Sequence, residues 1–216
     1  MLQQESEGGI LGGMRNASPA RHETVMLTRR FSDAQSAKRA AARRVATQLA
    51  TEGGYEAVTM GAVADRIGIS RATIYRYFSS KDHLLAEIME EWTVRIDEDL
   101  RRHPPPGKTL ADRVGAAFER IIEIAARNPR LTSAFVLAAT SSDPAADAFP
   151  SWSAPVAVYL KTLVGAHKVD HFDDIITVLG YVLFSALIAT ALRGKDPAEA
   201  AQVLRTTACL LLGERR

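Results

Sequence analysis

The sequence predicts an all-α protein of about nine helices: a three-helix N-terminal unit followed by a helical bundle. Three observations predict it. Apolar residues recur at spacings of three and four, as on one face of a helix. Capping residues, glycines and prolines punctuate the chain where such runs begin and end. No segment alternates apolar and polar residues as a half-buried strand would.

Residues 1–30 carry Gly8-Gly9, Gly12-Gly13, Asn16 and Pro19 without sustained periodicity, and are expected to form a flexible tail. The first helix is expected over Ser36 to Thr51, with Ala42, Val45, Ala46 and Leu49 on its inner face and Gly53-Gly54 ending it. Thr59 caps a second helix, Met60 to Ile67, whose inner side is Val63, Ala64 and Ile67. Gly68-Ile69 makes a turn, and Ser70 caps a short third helix, Arg71 to Phe78. Ser79 or Ser80 caps a long fourth helix to about Arg102. Pro104-Pro105-Pro106-Gly107 ends it. Thr109 caps a fifth, with Leu110, Val114, Phe118, Ile121, Ile122 and Ala125 inward. Asn128-Pro129 starts a sixth to about Thr140; Ser141 to Pro150 is a loop. Trp152 to Ala166 and Asp173 to Arg193 follow as helices. Asp196-Pro197 opens the last, to about Gly213. This divides the chain into a tail (1–30), a three-helix domain (31–80) and a helical domain (81–216).

Composition narrows the function classes. The chain has 216 residues and a single cysteine, Cys209, which excludes an internal disulfide framework and a cysteine-based zinc site. Cys209 lies in an apolar helix and is expected to be inert packing. The net charge is +2, spread unevenly: 12 Lys+Arg against 8 Asp+Glu up to residue 83, and 15 against 17 beyond it. Any polyanion partner is therefore expected at the front. No secretory signal is visible, so a cytoplasmic location is expected. Ile175 to Leu192 is uncharged over 18 residues. With one such span, interrupted by Thr177, Gly180, Ser185 and Thr190, a buried or interfacial helix is expected rather than a membrane segment.

Two short helices joined by a glycine turn inside a three-helix unit form a helix-turn-helix pattern over Thr59 to Phe78. Its chemistry fits DNA. Ala72 is small and lets the third helix come close; Arg71 and Arg76 reach bases or phosphates; Thr73 offers a hydroxyl and a methyl. Tyr75 and Tyr77 carry phosphate-compatible hydroxyls, and Lys81 stands at the start of the next helix.

The string Thr59, Val63-Ala64, Gly68-Ile69-Ser70, Thr73-Ile74-Tyr75-Arg76-Tyr77-Phe78, Lys81 and Leu84-Leu85 resembles the tetracycline-repressor (TetR) family of bacterial transcription regulators. The resemblance spans Ser36 to Ile88. Within the family, Gly53 to Met60, Ala62 to Arg66 and Thr73 to Phe78 look like the KstR-type regulators of sterol and cholesterol catabolism. The resemblance implies a ligand-responsive repressor of double-stranded DNA, with no catalytic residues, cofactor or metal. It places Thr59 at a phosphate or base contact, and Arg71, Ala72, Thr73 and Arg76 on the base-reading side. Tyr75, Tyr77 and Lys81 fall at phosphate positions, and Phe78 at a core anchor. Gly61 departs from many relatives, which carry a polar or charged residue there, so a contact from the second helix is missing.

The resemblance further implies a homodimer through the last two helices, about 173–193 and 197–213, with Gly180, Ser185, Ala186 and Ala189 allowing close approach. A twofold dimer implies a palindromic operator. It also implies an effector pocket in the rear bundle, with Trp92, Phe118, Ile122, Phe135, Trp152, Tyr159 and Phe184 as candidate walls. That lining is mostly apolar and suits a hydrophobic small molecule such as a steroid- or lipid-derived acyl-CoA. The competing reading is a helical small-molecule carrier or enzyme that kept a vestigial helix-turn-helix. His167 and His171 have metal-compatible spacing but sit in a connector, and Asp173-Asp174 reads as a helix-start charge pair.

Overall fold

The computed structural model describes residues 33–141, 153–164 and 171–213, with side chains from 158 to 163 in the middle segment. The expected tail, most of the Ser141–Pro150 loop, Trp152 and His167 lie outside the described residues. Among the described residues are nine α-helices, one turn of 3-10 helix and no strand.

The front unit is assembled by local hydrogen bonds that its sequence dictates. Helix α1 (Asp33–Gly53) begins and ends slightly beyond the expected span, and a 3-10 turn follows at Tyr55–Ala57. In α2 (Met60–Ile67) the Thr59 hydroxyl accepts the Ala62 amide at 3.1 Å, satisfying one otherwise orphan donor. Gly68 takes a left-handed φ of 69°, and the Ile69 amide donates back to the Ala64 carbonyl at 3.0 Å. The chain thereby reverses within three residues and enters α3 (Arg71–Tyr75), capped by Ser70.

Helix α3 is shorter than the expected Arg71–Phe78. Beyond Tyr75 the hydrogen bonds tighten to i−3, with Arg76 donating to Thr73 and Tyr77 to Ile74. The tighter winding brings Phe78 inward, where it is fully buried beside Ile74.

The remaining helices are α4 (Lys81–Arg102), α5 (Leu110–Ala126), α6 (Pro129–Ala139), α7 (Ser153–Val164), α8 (Phe172–Arg193) and α9 (Pro197–Leu212). Their caps follow the sequence: Ser80 for α4, a Thr109–Asp112 capping box for α5 and Asp196 for α9.

The apolar residues form two cores. The front core joins α1, α2 and α3 to the first half of α4 (Leu84, Leu85, Ile88) and to α6 (Leu131, Ala134, Phe135). The rear core joins the end of α4 to α5, α7, α8 and α9 around Phe118, Leu160, Leu179 and Leu204. The front core thus runs past residue 80 and enlists two helices, α4 and α6, that the sequence assigned to the rear. Trp92 on α4 packs against both cores.

An ion cluster reinforces the α1–α4 contact. Glu87 accepts from Arg39 and lies 3.3 Å from Arg43 and 3.2 Å from His83. Burial pushes the Glu87 carboxyl up, but the hydrogen bonds and charges of His83 and Arg39 outweigh it and hold the pKa at about 2.

Two expectations for the rear are corrected. Cys209 is exposed, because the 3.6-residue period turns Leu204 and Ala208 inward instead. Gly180 and Ala186 are buried within the chain, leaving Ser185 and Ala189 as the more exposed of the four small residues. Helix α8 has the length and composition to cross a membrane, but its buried residues are part of the rear core, and one third of its apolar window (33%) is buried.

Candidate nucleic-acid interface and effector cavity

The helix-turn-helix leaves one side free of the front core. Thr59, Arg71, Ala72, Tyr75 and Arg76 are exposed on α2 and α3, while Val63, Ala64, Ile74 and Phe78 hold these helices from behind. Thr73 is half-buried, and its hydroxyl lies 2.8 Å from that of Ser70. Tyr77 is half-buried and packs against the front core. The sequence-predicted residues are thus brought onto neighbouring positions, although their depths differ.

Three details were not legible in the sequence. The Lys81 ammonium sits 3.5 Å from the centre of the Tyr55 ring and 3.9 Å from Glu56, so it is partly committed within the protein. The Tyr55 hydroxyl donates to the buried Asp82 carboxylate at 2.8 Å, tying the 3-10 turn to the start of α4. At Gly61, a β-carbon would stand 2.9 Å from Arg71 Nη2 and 3.1 Å from its Nε. The guanidinium lies across the bare backbone of α2.

The candidate effector residues separate into two sets. Trp92, Phe135 and Phe184 come together around a small apolar space of about 30 Å³ between α4, α6 and α8, shared with Met89, Thr93 and Thr132. The Trp92 and Phe135 ring centres are 5.9 Å apart. Phe118, Ile122 and Tyr159 instead lie in the packed rear core, at 3% exposure or less. The Tyr159 hydroxyl is buried without a hydrogen-bond partner among the described residues. Burial pushes its pKa up; Asp97 adds to the rise, and Arg101 and Arg113 oppose it. Trp152 lies outside the described residues.

No group of three His, Cys, Asp or Glu able to hold a metal occurs among the described residues. His171 stands 3.7 Å from Asp174 at the start of α8, and Asp173 pairs with Lys161 at 3.2 Å.

The last two helices carry an outward apolar stripe. Val178, Tyr181 and Leu192 on α8 and Val203 and Leu210 on α9 are 41–80% exposed, and Ser185 lies on the same side of α8. Their spacing of three, four and seven places each set on one helix face.

Comparison with known proteins matches this arrangement. Residues 43–88 match the family model described as bacterial regulatory proteins, tetR family, and residues 107–211 that of a tetracyclin repressor-like C-terminal domain. The chain is 31% identical over 185 residues to the HTH-type transcriptional repressor KstR of Rhodococcus jostii (strain RHA1), covering 85% of this chain and 86% of that protein. A TetR transcriptional regulator from Rhodococcus sp. RHA1 shares the fold with a TM-score of 0.72 and 22% identity, over 85% of this chain and all of that one (100%). Thermus thermophilus FadR, a TetR-family transcriptional repressor solved with lauroyl-CoA, does so at 0.65 and 23%, over 82% and 95% of the two chains. The match extends well beyond the helix-turn-helix, which sets aside a carrier or enzyme with a vestigial motif. The chain belongs to the tetR family of bacterial regulatory proteins: it is a KstR-like, DNA-binding transcriptional repressor, not an enzyme.

Proposed function

We propose that this repressor acts in the cytoplasm, binds a palindromic operator as a twofold dimer through α8 and α9, and is released by a largely hydrophobic ligand. Trp92 carries the reading, since it packs against both cores and lines the small space between α4, α6 and α8. About 30 Å³ holds one or two waters and no acyl chain. A ligand entering between Trp92, Phe135 and Phe184 must therefore spread α4 from α6 and α8. The first half of α4 is part of the front core, so spreading re-aims α2 and α3 in both protomers and disturbs their match to the half-sites. Ligand and operator then compete through one conformational equilibrium.

Thr59, Arg71, Ala72, Thr73, Tyr75, Arg76, Tyr77 and Lys81 form the DNA face in this reading. The lauroyl-CoA bound to Thermus thermophilus FadR supports an acyl-CoA class, and the resemblance to regulators of sterol catabolism points to a steroid-derived member of it. The apolar stripe on α8 and α9 fits a second copy: a twofold axis brings each stripe against its equivalent and covers both.

The test is a titration of the protein–operator complex with lauroyl-CoA and with a steroid acyl-CoA. A Trp152→Phe variant leaves Trp92 as the sole tryptophan, so its emission reports the cavity. Release from DNA together with a change in Trp92 emission is expected. Release without that change would move the effector site elsewhere, and no release by either ligand would reject the acyl-CoA class.

A further inference from the structure

We propose that Gly61 is a positioning residue for operator binding that acts through Arg71, and that Arg71 meets the DNA backbone from the α2 side instead of reading a base from α3. The inference rests on the DNA-binding reading of this face and goes beyond it in assigning Gly61 a role and Arg71 a contact type.

Three observations carry it. First, the Arg71 guanidinium occupies the place a side chain at 61 would take, with Nη2, Nε and Cζ at 2.9, 3.1 and 3.2 Å from a β-carbon there. Contacts under about 3 Å force something to move, so a β-carbon at 61 displaces the guanidinium from this seat. Second, no hydrogen bond or ion pair holds the exposed Arg71 there among the described residues. Its position depends on the room above α2, and its five donors remain free for a ligand. Third, Gly61 is the second residue of the short helix α2, and glycine within a helix is less favourable than alanine. Nothing in the backbone calls for it, since Gly61 is absent from the glycines with positive φ. The space it leaves is the feature that alanine would remove.

In a helix-turn-helix the second of the two helices enters the major groove and the first crosses the phosphate backbone. A guanidinium folded from the start of α3 onto the start of α2 is thereby carried from the groove towards the backbone. It supplies from Arg71 the contact that α2 lacks at position 61. Base reading is left to Ala72, the Thr73 methyl and Arg76 on the remaining face of α3.

The experiment measures affinity and its salt dependence for wild type, Arg71→Ala, Gly61→Ala and the double variant. The probes are a duplex selected from a random library by the wild-type protein and a set of its single-base-pair variants. Thermal midpoints confirm that each variant folds. A phosphate contact predicts that Arg71→Ala weakens all duplexes alike, by about tenfold, and lowers the slope of log affinity against log salt by about 1. Gly61→Ala is expected to lower that slope by a similar amount with no fall in thermal midpoint. The double variant is expected to bind no more weakly than Arg71→Ala alone. An unchanged slope in Gly61→Ala, or losses that multiply in the double variant, would overturn the positioning role. A loss in Arg71→Ala confined to one base pair would make Arg71 a base reader. If wild type selects no duplex, the DNA-binding reading falls and takes this assignment with it.

Discussion

Replacing Tyr181 with glutamate should dissociate the proposed dimer. Tyr181 lies midway along α8 and is 70% exposed in one protomer, the largest exposed side chain of the apolar stripe. An aromatic side chain buries about 150–250 Å² when fully covered. The exposed share leaves about 100–170 Å² for a partner to cover, equivalent to about 2–4 kcal/mol at about 25 cal/mol per Å². Incomplete coverage halves this to about 1–2 kcal/mol per copy. A twofold axis makes each substitution count twice, so the dimer loses about 2–4 kcal/mol before any cost of burying the new charges. That is a rise of about 30- to 1,000-fold in the dimer dissociation constant. Sedimentation velocity over a concentration series reads this directly, with circular dichroism confirming helix content. Val94→Glu is the control, since Val94 is exposed on α4 away from the stripe. A Tyr181→Glu protein as dimeric as wild type, or a Val94→Glu protein that dissociates, would refute the assignment of this face.

Three further predictions concern the scaffold. Glu87 has its pKa held near 2, against 4.5 unperturbed, so its contribution is present above pH 4.5 and is lost as pH falls towards 2. Glu87→Gln should cost about 1–2 kcal/mol at pH 7 after allowing for solvent screening, and thermal midpoints of the two proteins should converge near pH 2. Gly68→Ala meets no atom within 4 Å, so its cost is backbone strain alone; about 1–2 kcal/mol is expected from urea unfolding. Thr109→Ala removes the acceptor of the Asp112 amide and half of the capping box; a lower urea midpoint worth about 1 kcal/mol, with an unchanged slope, is expected.

The front site was legible because it depends on local chemistry. Thr59, Gly68 and Ser70 act on amides and turns within a few residues of themselves, so their order in the chain specifies the helix-turn-helix. Helix boundaries in the rear were legible for the same reason, through Thr109, Pro129 and Asp196. The effector residues were only partly legible. Apolar periodicity marks Phe118 and Trp92 alike as inward, and it cannot distinguish a packed interior from a cavity wall.

That distinction belongs to the tertiary structure, because a cavity is what several helices together fail to fill. Sequence determined the all-helical fold, the helix-turn-helix and its basic, hydroxyl-bearing face, each set by spacing along one segment. Only the folded chain decided that α6 joins the front core, that Trp92 stands between the two cores, and that Glu87 gathers Arg39, Arg43 and His83. The same holds for Arg71 lying over Gly61, ten residues away in the chain, where the guanidinium occupies the place of a β-carbon. These are contacts between residues on different helices. Their existence depends on how the helices cross, which packing of whole faces sets and no single segment encodes.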